Sequence, residues 1–214
     1  MRHSLTTDLD ALARRCEQHI ATLPTDAAHD PGHVRRVVHT ALRLAEGEGA
    51  RLDVVLPAAW LHDCVVVPKD SPDRPRASRL AAAEAVRLLG AWGFGALPLD
   101  AIAHAVEAHS FSAGIVPRTV EAMVVQDADR LDALGAIGLA RCLALGGAMG
   151  RPLMHPDDPF ADRREPDDRT WSIDHLPVKL LRLETTMRTG AGRAEAARRT
   201  AFLRAFLAQL ATEL

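Results

Sequence analysis

Apolar residues recur along this chain at three- and four-residue steps, the period of an amphipathic helix, so the pattern predicts an all-α fold. Val34, Val37, Val38, Ala41, Leu42 and Ala45 form one such stripe. Asp30 and Pro31 suit the cap and first turn of that helix, and Gly47 and Gly49 suit its end. An earlier helix is expected over about 7–23, capped at Thr6, Thr7 or Asp8 and closed by Pro24. A third, over about 53–64, contains VVLPAAWL and is apolar almost all round, which marks a central buried element.

The string VVVPKDSPDRPRAS then reads as a substantial loop, because its prolines and charges forbid a continuing helix. Further helices are expected over about 78–92, 99–109, 117–131 and 133–145. The segment over about 150–169 holds MHPDDPFADRREPDDR and is expected to form an extended loop or lid. Helices over about 176–187 and 193–214 follow it. At 214 residues the chain suits one domain over 1–214, with a core at about 25–150 and a C-terminal helical extension at about 170–214.

Charge narrows the range of partners. With 26 Lys and Arg against 28 Asp and Glu, no nucleic-acid polymer or membrane surface is expected as a partner, so any anionic ligand must be handled locally. Cys16, Cys64 and Cys142 lie far apart, which suits a reducing compartment and small buried hydrophobes rather than bridges. The opening MRHSLTTDLDALARRCEQH lacks the apolar core of a signal peptide, and the cytoplasm is the expected location.

The chemistry gathers in three strings. In LHDC, His62 and Asp63 occupy adjacent positions near the end of a mostly apolar helix, where an isolated charge would be costly. A divalent cation removes that cost, since imidazole nitrogen and carboxylate oxygen both ligate Zn, Mn, Fe or Ni. AHDPGHVRRV supplies His33 at a helix start, with Arg36 one turn on, and MVVQDADRLDALGAIGLAR supplies an acidic cluster.

A His, a later His-Asp pair and a distant Asp, in that order, resemble the HD-domain superfamily of metal-dependent phosphohydrolases. The likeness is greatest to its small single-domain bacterial branch with nucleotide-pyrophosphatase-like members. HDPGHVRRV, HDCVVVPKD, AHSFSA, QDADRLDALGAIGLAR and HLPVKLLRLETTM carry it over nearly the whole chain. It implies a compact HD-domain helical bundle with additional C-terminal helices, and metal ligands at His33, His62, Asp63 and Asp129.

Asp129 stands in the Ala-Asp-Arg-Leu string typical of the superfamily's ligand. Asp127 is about 200° away around a regular helix, whereas Asp132, one turn on, shares the face of Asp129 and suits a supporting or substrate-binding role. Four protein ligands leave a six-coordinate ion room for water and a phosphate oxygen. One divalent ion is expected, Mn²⁺ first, with Mg²⁺, Co²⁺, Ni²⁺, Fe²⁺ and Zn²⁺ as alternatives. Two-metal relatives need further histidines after the His-Asp pair, and none occurs here until His104.

Within this resemblance Asp63 could orient the attacking water, His109 could protonate the leaving group, and Lys69 could act on the phosphate in both catalysis and binding. Arg76, Arg36 and Lys179 are further candidate anion contacts. Alarmone-hydrolysing relatives carry an acidic pair shortly after HD, where this chain has Val65, Val66 and Val67. The implied reaction is hydrolysis of a nucleotide's phosphoanhydride or phosphate ester, with nucleoside triphosphate to monophosphate plus pyrophosphate preferred. The alternatives are a phosphodiesterase on another small phosphorylated ligand and a non-catalytic metal- and nucleotide-binding module. A homodimer is compatible with either.

Overall fold

In the computed structural model, α1 Arg2–Ile20, α2 Pro31–Glu48 and α3 Leu52–Leu61 are followed by a 3-10 turn Arg74–Arg76 and α4 Ala77–Ala91. Then come α5 Leu99–Ala108, α6 Val120–Asp132 and α7 Gly135–Ala148. After an irregular stretch, the π turn Leu176–Leu180, α8 Leu181–Leu183 and the 3-10 turn Glu184–Thr186 lead into α9 Gly190–Ala211. The structure describes residues 2–24, 31–67, 71–111 and 113–214, with backbone alone at 2–8 and 31, and contains no strand among them. The expected all-α class is the one observed.

The chain divides into two units, residues 1–129 and 130–214, and the division falls inside the last turn of α6. In the first unit α3 packs against α1, α2, α4 and α5, and every residue from 54 to 61 is buried. A helix apolar on all faces can satisfy them only when surrounded, so the sequence VVLPAAWL dictates this central place. Val55 and Leu61 are wholly inaccessible, and burial of each such side chain stabilises the fold by roughly 1.5–3 kcal/mol.

Element ends differ from the sequence-based expectation for local reasons. The α1 backbone is helical from Arg2, so Thr6, Thr7 and Asp8 lie inside the helix rather than at its cap. No obligate breaker precedes them. Its end comes at Ile20, where the Thr22 hydroxyl donates to the His19 carbonyl. At the start of α6, the Thr119 hydroxyl accepts from the Ala122 amide, which moves the start past Pro117. Gly135 has φ +71, a conformation that breaks α6 from α7.

In the second unit α7 packs on α9, and Arg199 donates to the Leu131 carbonyl at 2.6 Å and to Glu195 at 2.7 Å. The 150–169 segment has no helix, yet it is tied down. Arg164 Nη2 donates to Asp174 Oδ1 at 2.8 Å, and the Asp167 amide donates to Asp174 Oδ2 at 2.6 Å. The expected helix at 176–187 is broken into π, α and 3-10 pieces. Among the described residues no single helix is long and apolar enough to cross a membrane.

Candidate metal centre

Three helices bring four of the expected residues to one place. His33 lies in the first turn of α2, His62 and Asp63 follow the last residue of α3, and Asp129 lies on α6. The His62 Nδ1–H donates to the Ala59 carbonyl at 2.8 Å, so the lone pair of a neutral ring sits on Nε2. That Nε2 is buried and has no hydrogen-bond partner among the described residues. It faces Asp63 Oδ2 at 3.5 Å and Asp129 Oδ1 at 4.0 Å, while His33 Nε2 stands 3.4 Å from the same Asp129 oxygen. One ligand atom from each of His33, His62 and Asp129 falls within 4.8 Å of the others.

Electrostatics sharpen the point. Burial pushes the His62 pKa down, against the pull of Asp63, and so favours the neutral ring. Burial also opposes ionisation of Asp63 and Asp129, but it is outweighed in both. The neighbouring imidazoles of His62 and His109, the second through a hydrogen bond, hold Asp63 far below its ordinary range, and a hydrogen bond from His33 holds Asp129 below its own. A bare imidazole nitrogen thus faces two carboxylates. Such a set of converging electron-pair donors fits a divalent cation, and the mixed nitrogen and oxygen chemistry suits a first-row transition ion.

His109 closes one side. Its Nδ1–H donates to the Val106 carbonyl at 2.6 Å, and its Nε2 lies 3.5 Å from Asp63 Oδ1. Burial lowers its pKa, but the hydrogen bond to Asp63 outweighs burial and leaves the value raised. The His62 and His109 rings meet edge to face, with centroids 4.9 Å apart.

The remaining expectations fall elsewhere. Lys69 lies outside the described residues, as do His29 and Asp30. Arg36 is half-buried on α2. Arg76 is exposed on the 3-10 turn and pairs with Asp73 at 3.6 Å. Asp132 is buried and held in a salt bridge by Arg141, and Lys179 is exposed on the π turn of the second unit. Asp127 is fully buried. His104 accepts the Arg118 amide through Nε2, a structural role. Sequence reasoning passed over Gln126, a buried amide whose Nε2 donates to the Ala108 carbonyl at 2.6 Å. Its signal was a polar residue within the apolar run, one turn before Asp129.

A family model described as HD domain matches residues 32–134, the span that contains all four of these residues. Over 192 residues, 88% of this chain and 85% of the relative, the sequence is 33% identical to Uncharacterized protein YpgQ of Bacillus subtilis (strain 168). The chain belongs to the HD-domain superfamily of metal-dependent phosphohydrolases. This HD-domain chain is similar over 97% of its length to 97% of the crystal structure of an HD-superfamily hydrolase from Bacillus thuringiensis, with 30% identity and a TM-score of 0.74. It is also similar to the crystal structure of Bacillus subtilis YpgQ in complex with ADP, which covers 93% of this chain and 97% of that one, at 32% identity and a TM-score of 0.70.

Proposed function

We propose that this HD-domain protein hydrolyses a nucleoside triphosphate to the monophosphate and pyrophosphate, using one divalent cation held by His33, His62, Asp63 and Asp129. The observation that carries the reading is the buried Nε2 of His62, without a hydrogen-bond partner among the described residues and aimed at Asp63 and Asp129. A divalent cation, once bound there, supplies positive charge that offsets the phosphoryl oxygens and lowers the pKa of water at the site. Mn²⁺ is the preferred ion, because two nitrogens and two oxygens leave it room to coordinate further oxygen ligands.

The chain's own residues do the rest. Asp63, ionised at neutral pH, orients the attacking water through a carboxylate oxygen. The water oxygen bonds to phosphorus as the bond from phosphorus to the leaving oxygen breaks. His109, paired with Asp63, donates a proton to the leaving pyrophosphate, and the proton lost by water passes to solvent. Arg36, Arg76 and Lys69 are the side chains we assign to the phosphates. A nucleotide is the favoured substrate because the similar YpgQ crystallised with ADP.

The test is a panel of nucleoside triphosphates with Mn²⁺, Mg²⁺, Co²⁺ and Ni²⁺, with products identified by mass. Monophosphate and pyrophosphate are the expected pair. Release from none of the panel, or full activity of Asp63→Ala after metal removal, overturns the reading.

A further inference from the structure

The helix that carries Asp129 also carries Gln126 three residues earlier, on the same face. Gln126 is only 1% exposed. Its Nε2 donates to the carbonyl oxygen of Ala108 at 2.6 Å, and its Oε1 is buried with no partner among the described residues. Ala108 is the last residue of α5 and is itself fully buried, and His109 follows it directly.

The last carbonyls of a helix have no donor within the helix, and an interior one must find its partner elsewhere. Gln126 supplies that donor across from α6. A leucine or methionine would fill the same space without burying a second, unpartnered polar atom, so packing alone does not account for an amide here. What the amide adds is a fixed origin for the next side chain. The His109 ring is tethered within its own turn by Val106 and faces Asp63 at 3.5 Å, while the backbone from which it departs is pinned to the helix of Asp129.

We propose that Gln126 is a positioning residue: by clamping the Ala108 carbonyl to α6, it sets the place of the His109 ring beside Asp63. The catalytic consequence rests on the role given to His109 above, whereas the geometric consequence does not.

Two readouts separate them. Long-range proton–nitrogen spectra of the imidazoles, recorded on metal-free protein and assigned with His109→Ala and His33→Ala, follow ring placement without any turnover. Steady-state kinetics with ATP and Mn²⁺ follow the reaction. For Gln126→Leu, which lacks the donor, the His109 signals are expected to move while those of His33 stay. Expected kcat falls about tenfold with KM changed by less than about twofold, and Gln126→Leu added to His109→Ala costs less than about twofold more.

His109 signals that stay put, or that move together with those of every other histidine, overturn the proposal. So does a full further tenfold or so loss in the double variant. No turnover of ATP by the parent protein counts against the substrate reading alone, and the spectra then decide. Should Gln126→Leu not fold, Gln126→Met is judged by the same spectra.

Discussion

The Nδ1–H of His62 is bonded to the carbonyl oxygen of Ala59, one turn back along the chain, at 2.8 Å. This contact within one segment fixes the tautomer and leaves Nε2 bare toward Asp63 and Asp129. A ligand that binds only the folded state at a hundred times its Kd stabilises it by about 2.7 kcal/mol, or about 5–10 °C in Tm for a chain of this size. Calorimetry of the parent protein is expected to show that rise with Mn²⁺ and its loss with chelator. His62→Ala should be insensitive to both, and a parent Tm indifferent to metal would sink the site.

Asp63 faces His62 through one oxygen and His109 through the other, at 3.5 Å each. Asp63→Asn keeps the volume and removes the charge, and turnover is expected to fall on the order of a thousandfold. Circular dichroism should be unchanged. Near-parental turnover would exclude Asp63 from the chemistry.

Asp127 and Asp129 lie two residues apart with different surroundings. Asp129 meets His33 at 3.4 Å and retains some exposure, whereas Asp127 is fully buried. Titration calorimetry with Mn²⁺ is expected to show binding lost in Asp129→Asn and kept in Asp127→Asn. Denaturant unfolding of Asp127→Asn should show a cost of about 1–3 kcal/mol. The reverse pattern would exchange the two assignments.

His109→Gln removes the titrating ring but keeps a polar side chain of similar reach. Its kcat is expected to fall about a hundredfold, with Mn²⁺ affinity within about threefold of the parent. Loss of metal binding would make His109 a ligand instead of a proton donor.

Glu195 in α9 is hydrogen-bonded by Arg198 and Arg199, each at 2.7 Å, and these bonds outweigh burial to bring its pKa from 4.5 to about 2. A depressed carboxylate stabilises the fold above its unfolded pKa, and that stabilisation is lost as pH falls toward the folded one. Glu195→Gln is therefore expected to cost about 1–3 kcal/mol at pH 7. The deficit should shrink between about pH 4.5 and about pH 2, as the parent residue takes up a proton. A deficit independent of pH would mean that packing, not charge, is lost.

Periodicity and local chemistry determine a good deal by themselves. The all-apolar run at 54–61 can only be a core helix, and the angular spacing on α6 separates Asp129 from Asp127 before any fold is known. Both follow from backbone geometry within one segment. Partners between segments do not follow from it. The pairing of His109 with Asp63, the hold of Gln126 on Ala108 and the capture of Asp132 by Arg141 each depend on how helices pack or turn back. Only the tertiary structure brings such distant groups into contact, because the hydrophobic pattern specifies which face of a helix is buried and is silent on which polar atoms meet there.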